Sequence, residues 1–444
     1  MATYVLDMND SELRIARVSA DATDVVAQST GFAMIDDRAI RFGESAMQQF
    51  RLHPRQVNNQ FWSRLNTDPL AVRGPNTANH ADLIYRHFVE LVREATVGTD
   101  DEFIIAAPGT TSNEQLSLLL GIASEAGTPV SGLVDNALVA SVVHPSPKRV
   151  LHVDIFLHRT VVTEMTRTDG LARQRIEEVA ELGFANLLDA WVNVIADRFV
   201  RDARFDPLSI AATDQQLYNQ LHGWLRNPAR PRDFSIDVDH RGSLRRAELN
   251  DEALIDKVTP RYRMLDRHVD GATIFLSHRA ARLPGLSEHL AGVAARVVTL
   301  DRMDLFRGVA LHQGLIRSDP KALRLVTRLP AQHLVGFERD TPSLPTALRL
   351  PPERPTHVLL GSDAVAIGQS LTLGRERFPE LPADFPTDAI QIVVGNGAIQ
   401  LKLRDDVQAT LDGDVARSGA TISKGSVLEV EGIRFQLIRT RLGP

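Results

Sequence analysis

The sequence predicts an α/β fold followed by a small all-β sandwich, on three observations. Short apolar runs at Phe103 to Gly109 (FIIAAPG), Pro129 to Val143 (PVSGLVDNALVASVV) and Arg149 to Met165 (RVLHVDIFLHRTVVTEM) alternate with a segment of helical spacing. Strands buried on both faces of a helix-covered sheet read as nearly continuous hydrophobic runs, so this alternation points to a sheet between helices. Beyond Pro355 the pattern changes to HVLLG, AIGQSLTLGR, AIQIVVGNGAIQLKLR, GATISKG and SVLEVEGIRFQLIR, short β-prone runs separated by Asn-Gly, Asp-Gly and Lys-Gly turns. Such spacing specifies a sandwich or barrel.

The opening TYVLDMNDSELRIARV reads as two short strands around a polar turn. Arg41 to Leu70 reads as a helix-loop-helix with Phe61, Trp62 and Leu65 as core. The helix after Gly109 has Thr111, Ser112 or Asn113 as cap, Glu114 in its first turn, and Leu116, Leu119, Leu120 and Ala123 at helical spacing before Gly127. IEEVAELGFANLLDAWVNVIADRFVRDAR is helical, with Leu187, Leu188, Trp191, Ile195 and Phe199 on one face. A second helix follows with Leu217, Leu221, Trp224 and Leu225, then a strand pair (DFSIDVDH, GSLRRAEL) and another helix towards Leu265. The aromatic stripe reads as core. Gly271 to Val293 is strand, turn and helix, and the Pro-rich stretch from Leu329 to Pro355 reads as a linker.

Composition narrows the function. Lys plus Arg is 50 and Asp plus Glu 56, a net charge of −6, which gives no general attraction to nucleic acid or anionic lipid. Absence of cysteine removes disulfides, thiolate metal sites and cysteine nucleophiles together. The start MATYVLDMND has no signal-peptide pattern and no apolar run approaches the ~20 residues that span a bilayer, so a cytoplasmic location without membrane contact is expected. His152 and Asp154 share a strand face and His158 follows, but without a recognised ligand spacing they read as structural. No Walker A, GxSxG, HExxH or GxGxxG pattern is present.

The blocks TYVLDMNDSEL, IIAAPGTTSNEQ, GLVDNALVAS, VLHVDIFLHRT and SHRAARLP, in this order and spacing, resemble the DnaK-type (seventy-kilodalton heat-shock) chaperones of the actin and hexokinase ATPase superfamily. The resemblance implies a two-lobed actin-like ATPase fold with ribonuclease-H-like halves over 1–325. Lobe I would span about 1–145 and lobe II about 146–325, with a helical insertion at about 185–268, a linker at 326–355 and the β domain at 356–444. It implies ATP or ADP with Mg²⁺ as ligand, with Asp7, Asn9, Ser11, Asp135 and Asp154 as candidate contacts. Every loop that would touch ATP is altered. Asn9, Asp10 and Ser11 fill the first phosphate turn, Ser63 replaces the water-positioning lysine, Phe156 to Arg159 replace the glycine-rich turn after Asp154, and His278 to Ala281 replace the glycines before Arg282, Leu283 and Pro284. Phosphate cradles need backbone N–H groups that side chains do not screen, so no cofactor and no hydrolysis are expected. The C-terminal part resembles a forkhead-associated domain through LGR (Leu373 to Arg375), LDGD and IRFQLI, which implies Arg375 as a phosphopeptide contact; the Ser-x-x-His element is replaced by PTDAIQI. The expectation is a hydrolysis-deficient scaffold or adaptor binding other proteins through the β domain or the helical insertion. The alternatives are an active chaperone ATPase with remodelled loops and a phosphopeptide-binding adaptor.

Overall fold

The computed structural model describes residues 2–19, 22–227, 230–318 and 323–330, and in the C-terminal part 355, 357–360, 363–367, 370–378, 381–382, 385–386, 389–395, 398–404, 407–412, 414–422 and 425–438. The chain is mixed α/β and divides into two compact units, Met1–Gly336 and Phe337–Pro444.

The first unit is built on two six-stranded sheets. One contains β1 (Thr3–Asp7), β2 (Leu13–Val18), β3 (Thr23–Ser29), β4 (Glu102–Ala107) and β5 (Val130–Asp135), in the order β3-β2-β1-β4-β5. The other contains β6 (Arg149–Ile155), β7 (Thr160–Arg167), β8 (Gly170–Val179), β9 (Thr273–Leu276) and β10 (Arg296–Thr299), in the order β8-β7-β6-β9-β10. In each sheet the first three strands form an antiparallel meander and the last two run parallel to the first. The strand order is thus the same twice over.

Period-two alternation sends each strand's side chains to two cores. In β1, Tyr4 and Leu6 join one cluster while Val5 joins another. Helices α1 (His80–Glu94) and α2 (Asn113–Glu125) cover the outer face of the first sheet through Leu83, Ile84, Phe88, Leu116 and Leu119. Ser112 is the cap of α2, accepting from the Gln115 N–H while Gln115 accepts from the Ser112 N–H. Helices α3 (Asn136–Ser141) and α8 (Asp304–Ile316), each following the fifth strand of its sheet, belong to the cluster that both sheets share. Between β8 and β9 lie α4 (Phe184–Ala203), α5 (Ala211–Arg226), the hairpin Asp233–His240 with Ser243–Asn250, and α6 (Asp251–Tyr262). Trp191 and Phe199 of α4 are fully buried in this insertion, so its aromatic stripe is core.

Three segments differ from the sequence reading. Ile176 to Val179, read as the start of a helix, closes strand β8, and the helix begins at Phe184. Arg41 to Leu70 forms no helix-loop-helix; two single helical turns, Glu44–Met47 and Phe61–Arg64, flank a small sheet of Ala33–Ile35, Ile40–Phe42 and Val57–Asn58. Phe61, Trp62 and Leu65 are nevertheless core. The chain also remains in the sheets beyond 325. β11 (Leu325–Val326) pairs with β5 and β12 (Arg328–Pro330) with β8; Pro330 is tolerated there because it stands on an edge strand. The Pro-rich residues 331–354 lie outside the described residues.

In the second unit, a six-stranded sheet and a four-stranded sheet enclose one core that includes Val358, Leu371, Phe378, Ile390, Leu401, Leu428, Phe435 and Leu437. The last hairpin turns at Glu431 and Gly432, both at positive φ as a two-residue type I′ turn requires. The Asn-Gly turn at 396–397 lies outside the described residues. No helix among the described residues is long and apolar enough to cross a membrane.

Candidate functional site

The site forms where the carboxyl end of β1 meets the turn between β6 and β7. After Asp7, Asn9 folds the chain back by accepting from the Ser11 N–H at 2.9 Å and the Ser11 hydroxyl at 2.7 Å. Across the cleft, the Phe156 N–H bonds the Arg159 carbonyl at 2.8 Å and closes the turn after Asp154.

The two turns hold each other. Asn9 Nδ2 donates to Asp154 Oδ2 and to the Ile155 carbonyl, both at 3.0 Å, and Ser11 Oγ lies 3.2 Å from the same carbonyl. The Leu157 N–H donates to Asp10 Oδ1 at 2.8 Å, and His158 Nε2 lies 2.9 Å from the Asn59 carbonyl oxygen. The Leu157 amide is therefore already committed to a carboxylate of the opposite turn.

Arg279 lies between the sheets. It stands in the short helix α7 (His278–Ala281), whose cap Ser277 accepts from the Ala280 N–H and donates to Asp154 Oδ1. Its guanidinium places Nη1 2.7 Å from Asp7 Oδ2 and Nη2 2.9 Å from Asp154 Oδ2, with Nε 3.3 Å from Asp154 Oδ1. Arg14 of β2 donates to the same Asp7 oxygen at 2.7 Å and to the Arg302 carbonyl at 2.6 Å, and its guanidinium lies 4.9 Å from the centroid of the Phe306 ring. Asp7 is 0 % exposed, Asp154 2 %, Arg14 1 % and Arg279 7 %. Two carboxylates and two guanidinia thus neutralise one another out of contact with water, an arrangement that persists only when the charges are paired and hydrogen-bonded.

The electrostatics follow. Burial pushes the Asp7 and Asp154 carboxyls up, but the neighbouring guanidinia outweigh it and hold both below the usual carboxylate range. Burial alone would lower the Arg279 value, yet Asp154 and Asp7 raise it. Glu12 sits alongside, 2.9 Å from His278 Nε2 and 3.4 Å from Arg282 Nη1, and is likewise held low against its burial. Burial takes His278 down to about 4, so it accompanies Glu12 as a neutral imidazole at neutral pH. Asp10 moves the other way, raised by burial.

Asp7, Asn9, Ser11 and Asp154 are thus brought together. Asp135 has different partners: its Oδ1 accepts from the Leu138 N–H at 2.9 Å to cap α3, and its Oδ2 pairs with Arg173 at 2.7 Å. Gly109 lies so near this pair that a Cβ there would stand 2.6 Å from Asp135 Oδ2. Arg375, in the second unit, is exposed just after the strand Ser370–Thr372. Sequence reasoning misses Arg14 as a site residue and reads Arg279 only as one of the residues that replace the glycines before Arg282. The one signal available is an arginine set in the strand run LRIARV.

Space around the network is small. A cavity of about 50 Å³, lined by Ser11, Glu12, Phe184, His222, Arg279 and Arg282 among others, has room for only a few waters at ~10–15 Å³ each. Further contacts join the segment at 44–51 to the insertion. Phe50 meets Tyr218 at a tilt of 58° with ring centroids 6.0 Å apart, and the Arg51 guanidinium lies over both rings while pairing with Asp189 and Asp214. Gln215 accepts from the Arg51 N–H at 2.7 Å, and Arg226 pairs with Glu44 at 2.7 Å. Among the described residues, no group of three or more His, Asp or Glu is placed to hold a metal ion.

No family model matches this chain, and no curated protein matches it.

Proposed function

We propose that this chain has the two-lobed actin and DnaK-type ATPase fold with its nucleotide cleft filled by its own side chains, and that it acts as a non-hydrolysing scaffold that binds other proteins. The repeated strand order, two antiparallel meanders each extended by two parallel strands, supports the fold reading. The observation that carries the functional reading is Arg279 between Asp7 and Asp154. Hydrolysis of a triphosphate relies on carboxylates free to organise a metal ion, backbone amides free to cradle phosphate, and an oriented water. Here the carboxylates face guanidinia and the Leu157 amide faces Asp10. Opening the cleft would have to break those bonds together with the Arg51 and Arg226 contacts. The β unit and the insertion at 184–262 remain as surfaces for protein partners. Isothermal titration of the full chain with Mg·ATP and Mg·ADP tests the reading. No heat of binding is expected; tight binding, with turnover lost in Asp154→Ala, would favour a working ATPase instead.

The exposed Arg375 favours one second reading, a phosphopeptide contact made by the β unit. Paired phosphothreonine and threonine peptides test it, with Arg375→Ala as control. Equal binding of both peptides eliminates it.

A further inference from the structure

We infer that the free edge of the first sheet, β3, takes up an extended segment of a partner protein as an added strand, and that basic and acidic residues alternate along that segment. The inference gives the scaffold reading a third surface, and it does not depend on whether the cleft takes nucleotide.

The four outer edges of the two large sheets are not alike. Three are strands of two to four residues: β11 (Leu325–Val326), β10 (Arg296–Thr299) and β12 (Arg328–Pro330), the last ending in proline. Short strands and edge prolines blunt unpaired sheet edges, as do bulges, of which β3 has one. The fourth, β3, is seven residues long and contains neither lysine nor proline. Among the described residues, it pairs with no strand on its outer side. An open trough of about 510 Å³ runs along Thr23 to Gln28, bordered by Glu94 at the end of α1 and by Arg302 and Met303 before α8.

A bulge decides which way each side chain of β3 points. Ile15 of β2 pairs with Ala27 and Ala16 with Val25, so Val26 is the extra residue. Val26 and Ala27 therefore both meet the cluster under α1, whereas Val25 meets the cluster that the two sheets share. Asp24 returns to the α1 face, in register with Arg17 and, one strand further in, Tyr4 of that cluster. Gln28 falls on the opposite face, in register with Arg14, which packs on Phe306.

Charge selects the occupant. A strand added to β3 sends alternate side chains to these two faces. On the α1 face they meet first the exposed carboxylates of Asp24 and Glu94, with the exposed Arg17 one strand further in; on the other they meet the exposed guanidinium of Arg302, whose Nη2 donates to Gln28 Oε1 at 3.2 Å. Opposite charges across a strand pair favour pairing and like charges oppose it, so the incoming strand carries bases on the first face and acids on the second. A second copy of this chain does not meet that demand. A two-fold axis that pairs β3 with β3 antiparallel keeps each face on its own side, setting the acids of one copy beside those of the other and Arg302 beside Arg302.

The probe is a synthetic peptide as long as β3 in which lysine and glutamate alternate, with a control of the same composition in the order Lys-Lys-Glu-Glu. Fluorescence anisotropy of the labelled peptides with the full chain at low salt should show the alternating one binding about tenfold tighter. Hydrogen exchange should place the new protection on β3 amides. Arg302→Glu makes both faces acidic and should abolish the difference between the peptides. Adding Asp24→Lys and Glu94→Lys to that variant exchanges the faces and should restore it, because the alternating peptide then fits after a shift of one residue. Equal binding of the two peptides by the parent chain would overturn the inference, as would protection outside β3 or a triple variant that binds no better than Arg302→Glu. So would self-association of the chain alone that protects the β3 amides, since a second copy would then be the occupant.

Discussion

At the scale of single residues, Arg279 supplies a positive charge shared by carboxylates of the two sheets. Removing one member of a buried ion network leaves the others desolvated and unpaired, at a cost of ~3–5 kcal/mol. Arg279→Ala is therefore expected to lower stability by that amount in urea denaturation. Because it leaves Asp154 without a guanidinium and Asp7 with Arg14 alone, millimolar Mg²⁺ or Mn²⁺ should raise the Tm of the variant and leave the parent unchanged. A loss below about 1 kcal/mol, the range of surface ion pairs, would show that the network is solvated. The acidic half of this site was legible in the sequence through the resemblance, since Asp7 and Asp154 stand at the acidic positions of the blocks TYVLDMNDSEL and VLHVDIFLHRT. The basic half was not. Arg14 alternates with Leu13 and Ile15 and so reads as solvent-facing, but the sheet is covered on both sides and Arg14 is buried. Arg279 lies in a turn, where sequence carries no periodicity to say which way a side chain points.

At the scale of elements, the crossing of α3 and α8 sets how closely the two halves approach. A Cβ on Gly308 would stand 2.0 Å from the Val139 carbonyl oxygen, and backbone cannot yield as a side-chain tip can. Gly308→Ala should separate the helices and cost ~1–3 kcal/mol, as overpacking does. The check is the urea midpoint at unchanged m value; a variant as stable as the parent would mean that the helices slide freely. Element boundaries were legible wherever one pattern ruled. The cap at Ser112 and the stop at Gly127, which has φ 69°, fall where the sequence puts them. Arg41 to Leu70 was not legible because apolar residues at helical spacing are there divided between single turns and two- and three-residue strands, held by contacts with other segments such as that of Phe50 with Phe32.

At the scale of the whole molecule, burial of neutral histidines gives stability a sign with pH. Burial takes His87 and His222 down to about 3 and His278 to about 4. Between the unfolded histidine value of ~6.5 and these values, the unfolded chain binds protons that the folded chain refuses, so stability falls as pH falls, by up to about 1.4 kcal/mol per unit for each histidine. Asp7, Glu12 and Asp154, held low in the fold, add losses of the same sign once the pH drops below the usual carboxylate range. Asp10, raised by burial, offsets part of this. Urea midpoints should therefore decline from about pH 6.5 to about pH 4, the window those histidine values set. A flat or rising series would mean that these groups are reached by water in the folded chain.

The claim on which all of this rests is that the two halves are closed on their own side chains. A crystal structure determined with excess Mg·ATP tests it most directly. The account predicts Arg279 still between Asp7 and Asp154, with no nucleotide between the sheets. A triphosphate lying along the turns at Asn9 and Leu157, with Arg279 swung aside, would contradict it.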